Sequence, residues 1–170
     1  NWANSGGFVS GTETVTLDGS DQMISGSNTF YNLTKISGNL LTFQSGAVQT
    51  VADTVTLKGT SAGSRLILRS DAPGARWRID PQGTYNFAYL DVSDSENIAV
   101  PKIDIVTTGS KASGNNINWN IEIPTAAAQS LEGTEDTPMS VSLSGADGDG
   151  DPLTFKAASL PAHGTLWVTY

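Results

Sequence analysis

Apolar and polar residues alternate in short runs along much of this chain. Leu66 and Leu68 alternate with Arg65, Ile67 and Arg69, and Trp77 and Ile79 with Arg76 and Arg78. Leu90 and Val92 alternate with Tyr89 and Asp91 in the same way. A period of two sends successive side chains to opposite faces of a strand, so the first-named members predict a buried face. The longest run has Ile117, Trp119, Ile121 and Ile123 against Asn116, Asn118, Asn120 and Glu122, and predicts a strand closing the first region.

Two of these runs are near copies. Thr14-Val15-Thr16-Leu17-Asp18-Gly19 recurs as Thr54-Val55-Thr56-Leu57-Lys58-Gly59, with further strand-like segments at 29–36 and 40–43 between them. The spacing suits two turns of a repeat of roughly 20 residues, within the range of known repeat architectures. One turn cannot bury its apolar residues alone, so stacked turns must share an interior. A second echo is expected between Phe30-Tyr31-Asn32-Leu33 and Phe87-Ala88-Tyr89-Leu90.

These repeats, with Gly26-Ser27-Asn28-Thr29 and the closing Gly114-Asn115-Asn116-Ile117-Asn118-Trp119, resemble the right-handed parallel β-helix regions of large bacterial secreted and cell-surface proteins. The resemblance implies a parallel β-solenoid over residues 1–123. A β-sandwich with long connections is the rival architecture, because periodicity alone does not separate the two.

The chain changes character near Pro124. Residues 124–130, Pro-Thr-Ala-Ala-Ala-Gln-Ser, read as a small-residue linker. Beyond it stand six acids against Lys156 alone, compared with eleven acids against eight bases before it. Glu135-Asp136-Thr137-Pro138, a strand over 139–143, the acidic run from Asp147 to Thr154, and Leu160-Pro161-Ala162-His163-Gly164-Thr165-Leu166 resemble a bacterial cadherin-like or immunoglobulin-like repeat. That likeness implies an all-β chain overall, a solenoid followed by a partial β-sandwich module over 131–170. It also implies an extracellular or bacterial cell-surface setting with a spacer or adhesive role. Such modules normally run on through further strands. A sandwich ending at Tyr170 is incomplete and exposes strand edges, so self-association by strand addition onto a neighbouring β-module is expected, with truncation or proteolysis as the alternative.

Composition narrows the partners. Seventeen acidic and nine basic residues give a net charge of −8, which disfavours nucleic acid and anionic lipid. The chain has no cysteine, which removes disulfides and thiolate sites. No apolar run reaches the ~20 residues of a membrane span, and the start at Asn1 has the look of a processed or excised piece.

The strongest candidate chemistry is calcium binding. Asp147, Asp149 and Asp151 alternate with Gly148 and Gly150, so a tight loop can turn three carboxylates toward one point. Calcium takes 6 to 8 oxygens, and Glu135, Asp136, carbonyls and water would complete the shell. An EF-hand is excluded, because the sixth position from Asp147 is Pro152 and the twelfth is Ala158.

Arg65, Arg69, Arg76 and Arg78 are all the arginines of the chain, and alternation sets them outward. They form either a patch for acidic glycans or a solvated face paired with Asp71 and Asp80. Asp91, Asp94, Glu96 and Asp104 are the acids to weigh for glycan cleavage, the runner-up function, yet no pair is fixed at a catalytic separation and ordinary turn residues explain them better. His163 is the only histidine and reads as a turn residue, so no enzyme chemistry is expected. The expected function is a structural or adhesive segment, a subunit of a surface filament or matrix.

Overall fold

The computed structural model describes residues 1–3, 8, 10–147, 152–159 and 161–166. Among them the protein is all-β, built largely from parallel sheets and without an α-helix. Strands are numbered in chain order. One sheet is formed by Trp2–Ala3 (β1), Gln22–Ser25 (β3), Leu40–Phe43 (β5), Leu66–Ser70 (β7), Leu90–Val92 (β10) and Lys111–Ala112 (β13), in that spatial order. A second contains Thr14–Thr16 (β2), Asn28–Ile36 (β4), Val48–Lys58 (β6), Trp77–Pro81 (β8) and Ser95–Asn97 (β11), with Thr84–Ala88 (β9) also on β6. Ile103–Asp104 (β12) and Trp119–Asn120 (β14) form a small third parallel pair.

Up to β11 the chain therefore passes back and forth between two sheets. Every ladder within them is parallel, so each strand meets a strand one full excursion later.

The near-copy segments confirm the repeat spacing. Thr14 pairs with Asn32 and Asn32 with Thr54, so the two copies lie two rungs apart with β4 between them. The second echo does not hold: Phe30 pairs with Val51 in β4–β6, whereas Phe87 pairs with Leu57 and Tyr89 sits between β9 and β10 with φ 52°.

β4 and β6 are long because each bends. The register shifts between Phe30 and Asn32, and opposite it Ala52 and Asp53 are both exposed, breaking the alternation of β6. Beyond the bend, Thr14, Asn32, Thr54 and Thr84 stand level in one outward column, and Thr16, Thr34, Thr56 and Asn86 in a second. Between the columns Val15, Leu33 and Val55 point inward, and Leu33 and Val55 are fully buried.

The inner faces of the sheets share one core. Leu66, Leu68, Trp77, Ile79, Leu90 and Val92 are all 0% exposed, as their alternation predicts. Each such side chain contributes about 1.5–3 kcal/mol on burial. Phe43 stacks on Trp77, and Trp119 meets both Trp77 and Phe87 at the far end.

The closing strand is shorter than its alternation predicts. Trp119 and Ile121 are buried, but Ile117 is 38% and Ile123 70% exposed, and Asn116 is buried in place of Ile117. Asn118 has φ 58°, the left-handed conformation that asparagine tolerates better than most residues, and this reverses the facing of the residues before it.

From Pro124 onward the described residues form one short antiparallel pair, Thr125–Ala126 (β15) with Gly145–Ala146 (β16). The predicted linker is thus itself paired: Ala127 N–H donates to Ser144 O, and Gln129 Nε2 donates to Ser142 O at 2.8 Å. The strand expected at 139–143 is not formed. Met139, Val141 and Leu143 keep their alternation but are 47–61% exposed.

Candidate functional site

The arginines are the clearest polar feature, and they are shared between two sheets. Arg69 lies on β7 and Arg78 on β8, in different sheets. Each arginine reaches along the ladder to a later rung. Arg69 Nη2 lies 2.6 Å from Asp91 Oδ1, while its Nη1 donates to the carbonyls of Leu68 and Asp91. Arg78 Nε lies 2.8 Å from Glu96 Oε2. Arg65 Nε donates to Gly109 O at 3.0 Å, and Arg76 donates to Asn115 O and Oδ1.

The expected partners Asp71 and Asp80 are engaged elsewhere. Asp71 accepts the Ser45 N–H, and Asp80 accepts from Gln82. The reason is topological: in a parallel ladder the outward neighbour of an arginine is the residue one rung away, not one nearby in sequence.

Two of the acids weighed for catalysis, Asp91 and Glu96, are the other half of these clamps. Ser113 Oγ donates to Asp91 Oδ1 at 2.6 Å, beside the Arg69 contact. Burial pushes the Asp91 carboxyl up, but the Ser113 hydroxyl and the Arg69 guanidinium, helped by Lys111, outweigh it and hold the group below its ordinary value. Asp94 accepts from Asn115 Nδ2 at 2.6 Å. Asp94 and Asn115 both have left-handed backbones, φ 51° and 57°, and mark successive corners of the fold. Held carboxylates of this kind are acceptors in a structural network.

Asp104 sits apart, in a groove lined by Tyr85, Pro101, Lys102 and Asn120, with its backbone N–H donating to Tyr85 Oη at 3.3 Å.

Sequence reasoning did not single out Lys35. It is 0% exposed and points inward from β4, level with Leu57. Its ammonium donates to Gly19 O (2.8 Å), Ser20 O (3.1 Å) and Gln22 Oε1 (2.6 Å), three acceptors for three donors. Burial lowers its pKa, and the charges of Asp21 and Asp18 act against that. The signal was present in the repeat: Leu33-Thr34-Lys35 aligned on Val55-Thr56-Leu57 puts a lysine in a core column. Trp119 is buried, and its Nε1 has no hydrogen-bond partner among the described residues.

For the calcium loop, Asp149 and Asp151 lie outside the described residues. Asp147 is half-buried next to β16, and Glu135 and Asp136 are exposed, the latter with φ 59°. Among the described residues no three His, Cys, Asp or Glu side chains are gathered as a metal site. His163 is exposed. No described helix is long and apolar enough to cross a membrane.

No protein-family model, curated protein or solved structure matches this chain.

Proposed function

We propose that the protein is an extracellular structural or adhesive segment in which residues 1–123 wind as a parallel β-solenoid and act as a stiff spacer. The observation that carries this reading is the set of clamps: every arginine bonds to a residue on a later turn of the chain. Parallel ladders joined by charged side chains resist bending, because any bend must open several hydrogen bonds at once.

Residues 131–170 are proposed to be a cadherin-like or immunoglobulin-like module that joins neighbouring subunits by strand addition. The alternating and exposed Met139, Val141 and Leu143 support this, since they have the pattern of a strand without a ladder. Calcium at Asp147, Asp149 and Asp151 would order that module by offsetting repulsion between the carboxylates. Bacterial cell surface is the setting the reading implies.

Electron microscopy with calcium and with a chelator tests the assembly. Fibres that shorten or disperse on chelation are expected, and dispersed particles in both conditions overturn the filament reading. Calorimetry reads the metal directly: heat on adding calcium to the parent, lost in Asp149→Ala, is expected, and a flat titration of both removes calcium.

A second reading, carbohydrate binding or cleavage, has one observation in its favour, the groove between Tyr85 and Asp104. It requires glycan binding or turnover that survives deletion of 124–170.

A further inference from the structure

The two outward columns on β2, β4, β6 and β9 carry six threonines and two asparagines and no charged side chain. None of the six threonine hydroxyls has a hydrogen-bond partner among the described residues; the same holds for the outward Thr29, Thr42 and Thr50, but those stand level with Asp80 or Arg69, so the two columns are set apart by their lack of charge. Among the described residues the one side-chain bond on the array is Asn32 Oδ1 accepting the Thr54 N–H at 2.9 Å, which fixes the bend and leaves the threonine hydroxyls alone.

The columns form a net set by backbone geometry. Rungs of a sheet lie about 4.8 Å apart, and residues two apart on a strand about 6.6 Å. Threonine is β-branched and stiff at χ1, so each hydroxyl and methyl repeats with its rung. Beneath the net, Leu33 and Val55 are packed into the core, which keeps the surface from deforming.

We infer that this face binds ice. An ice surface offers neither charge nor ring, only oxygen atoms at fixed two-dimensional spacings of this order. A charge-free net of unpaired hydroxyls and methyls is its chemical counterpart. In liquid water each hydroxyl gains an ordinary solvent bond. Against a crystal the whole net registers at once, and many weak contacts on one rigid plane act together without further ordering cost. A crystalline polysaccharide is the less fitting solid, because the columns themselves carry no ring and Tyr85, between Thr84 and Asn86 on β9, is a single ring rather than a row to stack on successive sugar faces. Beyond Thr34 and Thr56 the next outward pair is the exposed Ile36 and, level with it, Lys58, which bounds the uncharged net on that side. The inference rests on the register of the columns and is independent of the C-terminal module.

Nanolitre osmometry on the full chain tests it. Faceted ice crystals and a gap between melting and freezing temperatures are expected. Both should be lost in the double variant Thr34→Lys, Thr56→Lys and kept in Ala75→Lys, which lies in the exposed connection from β7 to β8. Far-ultraviolet circular dichroism and melting temperature establish that the variants fold. If the double variant unfolds, Thr14→Lys with Thr16→Lys on β2, at the end of its sheet, replaces it. Unaltered ice growth with the parent overturns the inference. So does activity that persists in the folded double variant, and so does retention on microcrystalline cellulose without any shaping of ice.

Discussion

Phe43 and Trp77 lie face to face, with ring centroids 3.9 Å apart and planes 10° from parallel, although they belong to different sheets. The pair joins the two sheets across the core, so its loss uncouples more than one rung. Trp77→Ala is expected to cost about 3–5 kcal/mol, read from urea unfolding. Trp77 Nε1 also donates to Ser93 O at 3.1 Å, whereas Trp119 Nε1 has no partner among the described residues. Trp77→Phe should therefore cost more than Trp119→Phe, because only the former breaks a buried hydrogen bond. Equal losses would contradict the difference in their indole environments.

The Arg69–Asp91–Ser113 clamp sets a pH dependence. The folded Asp91 carboxyl lies below its ordinary value, so its contribution is present above the unfolded pKa, about 3.9, and is lost as pH falls through the folded pKa. Asp91→Asn is expected to cost about 1.5–3 kcal/mol at pH 7, in line with hydrogen bonds to a charged group. Thermal melts of parent and variant should converge as the pH is lowered below 4. A difference that stays constant down to the acid limit would show that the carboxylate charge is irrelevant there.

Lys35 closes the loop before β3 by giving its three protons to oxygens of Gly19, Ser20 and Gln22. Lys35→Met keeps the stem's bulk in the core and removes all three bonds. A loss of about 1.5–3 kcal/mol is expected, in line with hydrogen bonds from a charged group. Hydrogen exchange should quicken around residues 19–22 and remain unchanged near Trp119. Uniform quickening would mean that the lysine supports the whole core rather than this loop.

Asn118 combines a left-handed backbone with a side-chain bond to Asn97 O at 3.0 Å. Asn118→Ala is expected to lose about 1–2 kcal/mol through the backbone alone, and Asn118→Gly less, since glycine enters that region freely. If the two variants melt together, backbone conformation is not what holds the last turn.

The strands that alternation announced are those where backbone conformation stays extended, as around Leu66, Trp77 and Leu90. Alternation misled at Ile117 because one left-handed asparagine swaps the faces, and no periodic count registers a single φ angle. The arginine partners escaped sequence reasoning for another reason. Asp91 and Glu96 become neighbours of Arg69 and Arg78 only once the register is known, while Asp71 and Asp80 merely stand close in the text of the chain. The buried lysine and the threonine columns were both readable from the alignment of the two near copies on the strand between them. The acidic run around Asp149 was legible as composition, and its geometry lies outside the described residues.

The long-range arginine contacts all point one way: residues 65, 69, 76 and 78 grip 109, 91, 115 and 96. During synthesis, then, a segment leaves the ribosome before the groups that will fasten it exist. Each fastening is completed by chain made later, so the nascent protein tightens retroactively, its older portion secured by its newest.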